Sequence, residues 1–440
     1  MNFRPFAVAG LTLVATTAAA NGRFPASSSI AIQDGHSDHI LIGTTFGPVI
    51  STDNGMTWIW VCDQSVGNVT ALDPIFFWTS SGTILAAAWE GLLITADNGC
   101  NWSGHPFFAT TNPPGPHQGT SGMAQSPSDP NTFFVTTSRN ATGNGLFVTH
   151  DGAQTFAPTA LVLDNVYFTS VAIAPSDANR IYVAGWWFQP LDGGSLYEGW
   201  MYVSRDGGKT FATIPQPVPT NGSLHVLGVS PVNPDVVLGY TQGYANGANV
   251  PVSNIIRSTD ATATFTTVKT ISDQVRNLAI SDDGSTMWLA TLDVFYRSTD
   301  TGLTFTPLSA PHPNQNGCVY RNSSTLYACG WPWTDGFAVG TSTDGGSNFS
   351  KLFTLTDLQG LESCPAGSTT TTLCAGQWDL LASLLGITPD AGGTAGPKSG
   401  CHCGPFGFAP ATSPIESVAY LWLGFWIRRL RRTRSRSETR

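Results

Sequence analysis

Ser204-Arg205-Asp206-Gly207-Gly208-Lys209-Thr210-Phe211 decides the architecture of this chain, because the same pattern returns six more times. The other copies begin at Ser51, Thr95, Thr149, Ser258, Ser298 and Ser342. In chain order the seven aspartates are Asp53, Asp97, Asp151, Asp206, Asp260, Asp300 and Asp344, separated by 44, 54, 55, 54, 40 and 44 residues. That is the period of a four-stranded repeat unit. The short Asp side chain is suited to accept hydrogen bonds from the backbone N–H groups of the turn that follows it, and glycine supplies a positive φ there. The hydroxyl two residues earlier ties the strand end to the turn, and the terminal aromatic packs between neighbouring sheets. Seven carboxylates about one repeat apart cannot converge on a single ion, so no metal or other cofactor is expected. Two copies replace the glycine, with Ala153 and Thr262, which predicts looser turns at those places.

Each repeat reads as four short strands. In the fourth, Tyr167–Ile173 is the first strand and Ala174-Pro175-Ser176-Asp177 the turn. Arg180–Gly185, Trp200–Ser204 and Thr210–Ile214 follow as the other three strands. Alternating strands punctuated by Gly, Pro, Asn and Asp are the signature of an antiparallel meander. The apolar run Ile84–Trp89 suits a strand buried on both faces. Seven such sheets closed radially give an all-β fold, a seven-bladed propeller of four-stranded antiparallel blades over 21–357. Beyond it, Leu361–Ala375 reads as an extra hairpin, Trp378–Leu385 as a short helix within 358–387, and the Gly/Pro-rich 388–400 as a linker.

Ser/Thr-x-Asp-x-Gly-x-Thr/Asn-Trp/Phe resembles the Asp-box, or bacterial neuraminidase repeat, and the resemblance covers most of residues 27–354. The motif occurs in sialidases, sortilin-type receptors, xyloglucanase-type glycosidases and photosystem assembly factors. It therefore implies a propeller and leaves activity open between a carbohydrate- or peptide-binding module, a glycoside hydrolase and an assembly scaffold.

Only 11% of the 440 residues are charged, a turn-rich profile typical of exported β proteins. Residues 1–20 read as a secretory signal, with Arg4, the apolar run Phe6–Val14 and Ala18-Ala19-Ala20 before Asn21. Seven of the 20 basic residues are the arginines of the last 13 positions, Arg428 to Arg440. The rest of the chain is strongly acidic, which argues against nucleic acid as a partner. The arginines follow Val418–Ile427, preceded by Cys401-His402-Cys403. That order within 401–440 resembles the C-terminal sorting tails of myxobacterial surface proteins, and implies sorting or anchoring machinery as a partner. The apolar run is about half the ~20 residues that a span requires.

Eight cysteines in an exported chain predict disulfides. Cys318 and Cys329 face one another across a hairpin, Cys364 and Cys374 repeat that spacing around Gly367–Thr371, and Cys62 and Cys100 suit a bridge between the first two blades.

Strand parity sorts the loops. Turns 1–2 and 3–4 of each blade share one end, so the Asp turns lie together. The 2–3 turns and the connections between blades lie at the other, where the long insertions fall: Trp186–Gly199, Thr241–Val252, Trp331–Gly336 and Thr110–Thr120 with His117. Function concentrates on loops carried by a rigid scaffold, so this insertion face is the expected binding surface. Trp186, Trp187, Trp331 and Trp333 suit a platform for sugar or peptide, or equally rim packing. Sialidase resemblance would need an early Arg-Ile-Pro motif, an arginine triad and a Tyr–Glu pair. Gly22-Arg23-Phe24-Pro25 matches the first in part, and Arg139 and Arg276 are the other arginines on the insertion face. Tyr197 and Glu198, being adjacent on a strand, point to opposite sides. Hydrolytic carboxylates would have to come mostly from Asp such as Asp192 or Asp335. No residue qualifies as catalytic on spacing alone.

Overall fold

The seven sheets are visible in a computed structural model that describes residues 24–68, 72–108, 119–139, 142–191, 194–214, 218–219, 223–244, 250–308, 313 and 317–387. Arg23, Asp192, residues 1–20 read as an export signal, most of the 110–120 loop, residues 388–400 read as a linker, and residues 401–440 lie outside the described residues. Each sheet is an antiparallel meander in sequence order, which makes the chain a seven-bladed β-propeller. The blades occupy residues 27–60, 75–104, 120–163, 166–213, 223–271, 275–307 and 319–353. First strands of neighbouring blades touch one another around most of the ring, and Ser27–Gln33 of blade 1 meets Val319–Asn322 of blade 7. The first strands therefore line the axis.

The core is divided among the seams between sheets. Alternation does the sorting: Leu41 and Ile50 face blade 2, whereas Ile40, Ile42 and Val49 face blade 7. Ile84–Ala88 is buried at every position, as its unbroken apolar run predicts. Ile84, Ala86 and Ala88 fill one seam while Leu85 and Ala87 fill the next. Burial on both faces is what removes the polar positions from such a strand.

The Asp turns hold the outer edges. In blade 4 the Ser204 hydroxyl donates to Asp206 Oδ1 at 2.8 Å and accepts the Gly208 N–H at 2.8 Å. Asp206 in turn accepts the Thr210 N–H at 2.9 Å and the Thr210 hydroxyl at 2.6 Å. The Thr210 hydroxyl, then the backbone N–H groups, hold the Asp206 carboxyl down at about 2. The expected loosening at Ala153 and Thr262 does not occur. Both adopt the positive φ of the glycines they replace, 71° and 74°, and both N–H groups still reach the Thr149 and Ser258 hydroxyls. Hydrogen bonding in the turn outweighs the steric cost of a Cβ there.

The region after blade 7 differs from its sequence reading. Leu358–Leu361 runs parallel to Trp58–Trp60 and adds a fifth strand to blade 1. The second half of the stretch read as a hairpin is helical: a single helix spans Thr369–Leu385, with the Ser368 hydroxyl accepting the Thr371 N–H at its start and Gly386 at φ 73° closing it. Four consecutive threonines favour a strand locally. Here capping, together with burial of Thr370, Cys374, Leu381 and Ala382, decides otherwise.

The cysteines are re-paired accordingly. Cys318–Cys329 forms as expected within blade 7. Cys364–Cys374 and Cys62–Cys100 do not form. Cys62 bonds Cys374 and Cys100 bonds Cys364, so the extension is tied to blades 1 and 2 at once. On a helix, Cys374 cannot turn back toward Cys364 as a hairpin strand would. Disulfides of this kind persist in an oxidising compartment, extracellular or periplasmic. Among the described residues no helix is long and apolar enough to cross a membrane.

Candidate functional site

Antiparallel parity places the start of every first strand, every 2–3 turn and every connection between blades at one end of the ring. In blade 6 three of these segments converge. The Asp273 carboxylate, in the connection entering the blade, accepts the Gln274 N–H at 2.7 Å, the Asp293 N–H at 2.9 Å and the Thr291 hydroxyl. Its carbonyl accepts the Ser253 hydroxyl from blade 5 at 2.7 Å. Asp293 sits in the 2–3 turn. Burial, then the neighbouring Asp273 charge, push its carboxyl up, against the pull of Arg276. One carboxylate is thus locked as an acceptor and the other is biased toward its protonated form.

Arg276 follows on the first strand, Val275–Ile280, and is exposed. Its guanidinium pKa is nevertheless lowered by loss of solvation, with Tyr240, Asp273, Asp73 and Asp293 acting to hold it up. Arg276 thus combines an exposed position at the start of its strand with partial loss of solvation. Asp73 belongs to the connection entering blade 2, so carboxylates act on Arg276 from two separated blades.

Blades 4 and 5 continue this wall with cross-strand aromatic pairs. His225 and Tyr240 are register partners and stack at 4.6 Å with 5° between planes. Tyr167 and Trp186 do the same at 4.4 Å and 13°. Directly opposed residues on one face of a sheet meet in this way. Burial brings His225 down to about 4, leaving a neutral imidazole whose Nε2 meets the Ser223 hydroxyl at 2.8 Å.

The remaining candidates separate. Trp186–Gly199 is not an insertion loop but a continuation of strands Asp177–Leu191 and Gly194–Ser204, paired as far as Leu191 and Gly194. Tyr197 and Glu198 are consecutive on that second strand, and Glu198 accepts the Trp200 indole N–H at 3.2 Å. Trp187 packs into the seam between blades 3 and 4, so it is a packing residue. Trp331 caps a one-turn helix, Pro332–Asp335, and Trp333 lies within it, their ring centroids 4.9 Å apart. Phe24 joins them at 6.1 and 6.5 Å. Trp333 is 58% exposed and Phe24 63%. Asp335 accepts the Trp331 N–H at 2.7 Å, which fixes this turn. Arg139 lies over the Trp89 ring at 5.5 Å and donates to the Trp89 carbonyl. Beside Trp89, Glu90 falls in the 2–3 turn of blade 2, and both its carboxylate oxygens are buried with no hydrogen-bond partner among the described residues.

No protein family and no curated protein matches the sequence. Solved structures do. The Kuenenia stuttgartiensis hydrazine synthase matches with a TM-score of 0.52 at 11% identity, over 73% of this chain and 96% of that one. A GH74 enzyme from Niastella koreensis matches with a TM-score of 0.28 at 15% identity, over 75% and 72%. An ancestral GH74 enzyme matches with a TM-score of 0.38 at 12% identity, over 76% and 54%. What this chain shares with the hydrazine synthase is the fold. Identities this low carry no residue roles across.

Of the residues at the channel mouth, the sequence singled out Arg276 and, as loop residues, Trp186. It missed Asp273, Asp293, Tyr240 and His225. Parity alone could have found the two aspartates, since both fall in insertion-face segments of the blade that carries Arg276.

Proposed function

We propose that this chain is an exported propeller of the Asp-box class that binds a carbohydrate at the mouth of its central channel. The observation that carries the reading is the grouping around Arg276. An open, partly desolvated guanidinium is matched with carboxylates at Asp273 and Asp293 and with the Tyr240 ring. Fixed acceptors, a planar donor and flat rings are what a polyhydroxylated ligand needs for orientation and stacking. The exposed rings of Trp333 on blade 7 and of Phe24, from the segment that precedes blade 1, offer a further stacking surface. A peptide ligand would use the same groups less fully, since most of its polar atoms lie on a backbone that prefers a sheet edge.

A second reading, glycoside hydrolysis, is favoured by one observation. Burial and the adjacent Asp273 push the Asp293 carboxyl up, while Asp273 is held as a hydrogen-bond acceptor, an arrangement that suits a paired acid and carboxylate in such enzymes. In that reading Asp293 gives its proton to the leaving oxygen, and Asp273 assists from a fixed position.

A glycan array with the purified protein, run beside a panel of fluorogenic glycosides, separates these readings. Binding is expected to at least one glycan class and to fall at least tenfold in Arg276→Ala. Hydrolysis lost in Asp293→Asn with binding retained would favour the enzyme. Glycan binding that ignores Arg276→Ala would overturn the site.

A further inference from the structure

At the opposite end of the ring, on the side of the Asp turns, the hairpin of blade 1 carries His36-Ser37-Asp38-His39. A regular strand cannot aim all three titratable residues one way, because consecutive side chains alternate. The pairing breaks here. Ile32 faces Ile40 while Gln33 already faces His36, so residues 37–39 are extra on the second strand. A bulge re-aims side chains, and this one brings the donor atoms of His36, Asp38 and His39 within 4.8 Å of one another.

The surroundings fix His39 as a ligand would be fixed. Gln33 is 6% exposed, and its amide nitrogen donates to the Ser80 carbonyl of blade 2 at 3.4 Å, which turns its oxygen to His39. His39 Nδ1–H donates to that oxygen, so the lone pair is left on Nε2, 4.0 Å from Asp38 Oδ2. An outer hydrogen bond that sets the tautomer is the usual companion of a metal-bound imidazole. The Trp78 ring backs His39 at 5.5 Å. Asp38 is held from behind, its carbonyl accepting the Asn54 N–H of the first Asp turn at 2.8 Å. His36 is exposed and stacks on His39 at 5.0 Å, so it is the member that must rotate.

We infer that His36, Asp38 and His39 form a binding site for a divalent transition-metal ion of the zinc class. Two imidazoles and one carboxylate are a borderline donor set that suits Zn²⁺, Ni²⁺ or Cu²⁺, and is poor for Ca²⁺ or Mg²⁺. Three protein donors leave a fourth tetrahedral position for water or an external ligand. Closing onto an ion needs donor separations of about 3.4 Å, from metal–ligand bonds of roughly 2.1 Å. Rotation of His36 supplies most of that movement. The expectation of no metal rested on the seven Asp turns, and this cluster lies outside them.

The test is titration of the full, tag-free chain with Zn²⁺ by calorimetry, repeated for His36→Asn and for His36→Asn/His39→Asn. One equivalent is expected to bind at micromolar concentration in the unaltered chain. It should weaken at least tenfold in the single variant and disappear in the double one. Co²⁺ in the same site should give tetrahedral visible absorption bands that the double variant lacks. His36 is exposed, so the single variant reports on binding even if the double one folds poorly. An unchanged stoichiometry and affinity in both variants, or no binding of Zn²⁺ to the unaltered chain at 100-fold higher concentration, would sink the site.

Discussion

Thr301 carries more backbone strain than the residues that directly follow the key aspartate in the other Asp turns. The residue after the key aspartate has a positive φ in every copy, and there the chain uses Asn54, Asn98, Gly152, Gly207 and Gly345. Ala261 and Thr301 are the exceptions, at φ 55° and 60°. A β-branched side chain in this region costs about 1–2 kcal/mol, whereas Asn tolerates it. Thr301 is exposed, and the bond from Arg257 Nε goes to its carbonyl at 3.0 Å, which survives substitution. Thr301→Asn should therefore raise stability by about 0.5–1 kcal/mol in urea unfolding; a lower midpoint would mean that its hydroxyl matters more than strain. Turns of this kind were legible because their chemistry is local, complete within eight residues. Asp273 and Asp293 were not, because nothing near either one in sequence shows that the other faces it. Their pairing exists only once strand parity and register bring a connection and a turn together.

At the scale of elements, the same residue type reads differently according to the strand beneath it. Trp187 is a register partner of Val166 and fills a seam, while Trp333 stands on a one-turn helix with most of its ring in water. Sequence could not separate them, since a long strand and a long loop of aromatic and glycine residues look alike. Register separates them at once. Trp187→Ala should cost about 1–3 kcal/mol, less than truncating a fully buried ring because Trp187 is half-buried in the seam, and leave ligand affinity unchanged. Trp333→Ala should leave the melting temperature unmoved and weaken a glycan ligand by about 1–3 kcal/mol if the blade 7 rings join the site. Paired melting and binding curves for the two variants decide this, and equal loss of stability in both would make the blade 7 cluster rim packing as well.

At the scale of the whole molecule, a ring of sheets must be closed, and here the closure falls outside the seven repeats. All four meander strands of blade 1 come from residues 27–60, so no strand from the far end of the chain completes that meander. Closure comes instead from the extension. Leu358–Leu361 pairs with the edge of blade 1, the Thr369–Leu385 helix packs where blades 7 and 1 meet, and two disulfides carry the tie on to blade 2. Thr369 and Thr370 add hydrogen bonds to the Cys100 and Gly99 carbonyls of the second Asp turn. The outer bond, Cys62–Cys374, spans 312 residues, and Cys100–Cys364 lies inside it. Given the outer bond, the inner one closes a much shorter loop, so its share of the unfolded-state entropy is smaller. Cys100→Ser/Cys364→Ser should thus cost about 2–4 kcal/mol, and Cys62→Ser/Cys374→Ser at least as much. Reduction should release the extension before the blades, because the seams hold without sulfur. Hydrogen exchange on the reduced protein should then rise first in residues 358–387 and in Trp58–Trp60. Exchange that rises uniformly across all seven blades would mean that the ring opens as one unit, and that the extension is a passenger and not the clasp.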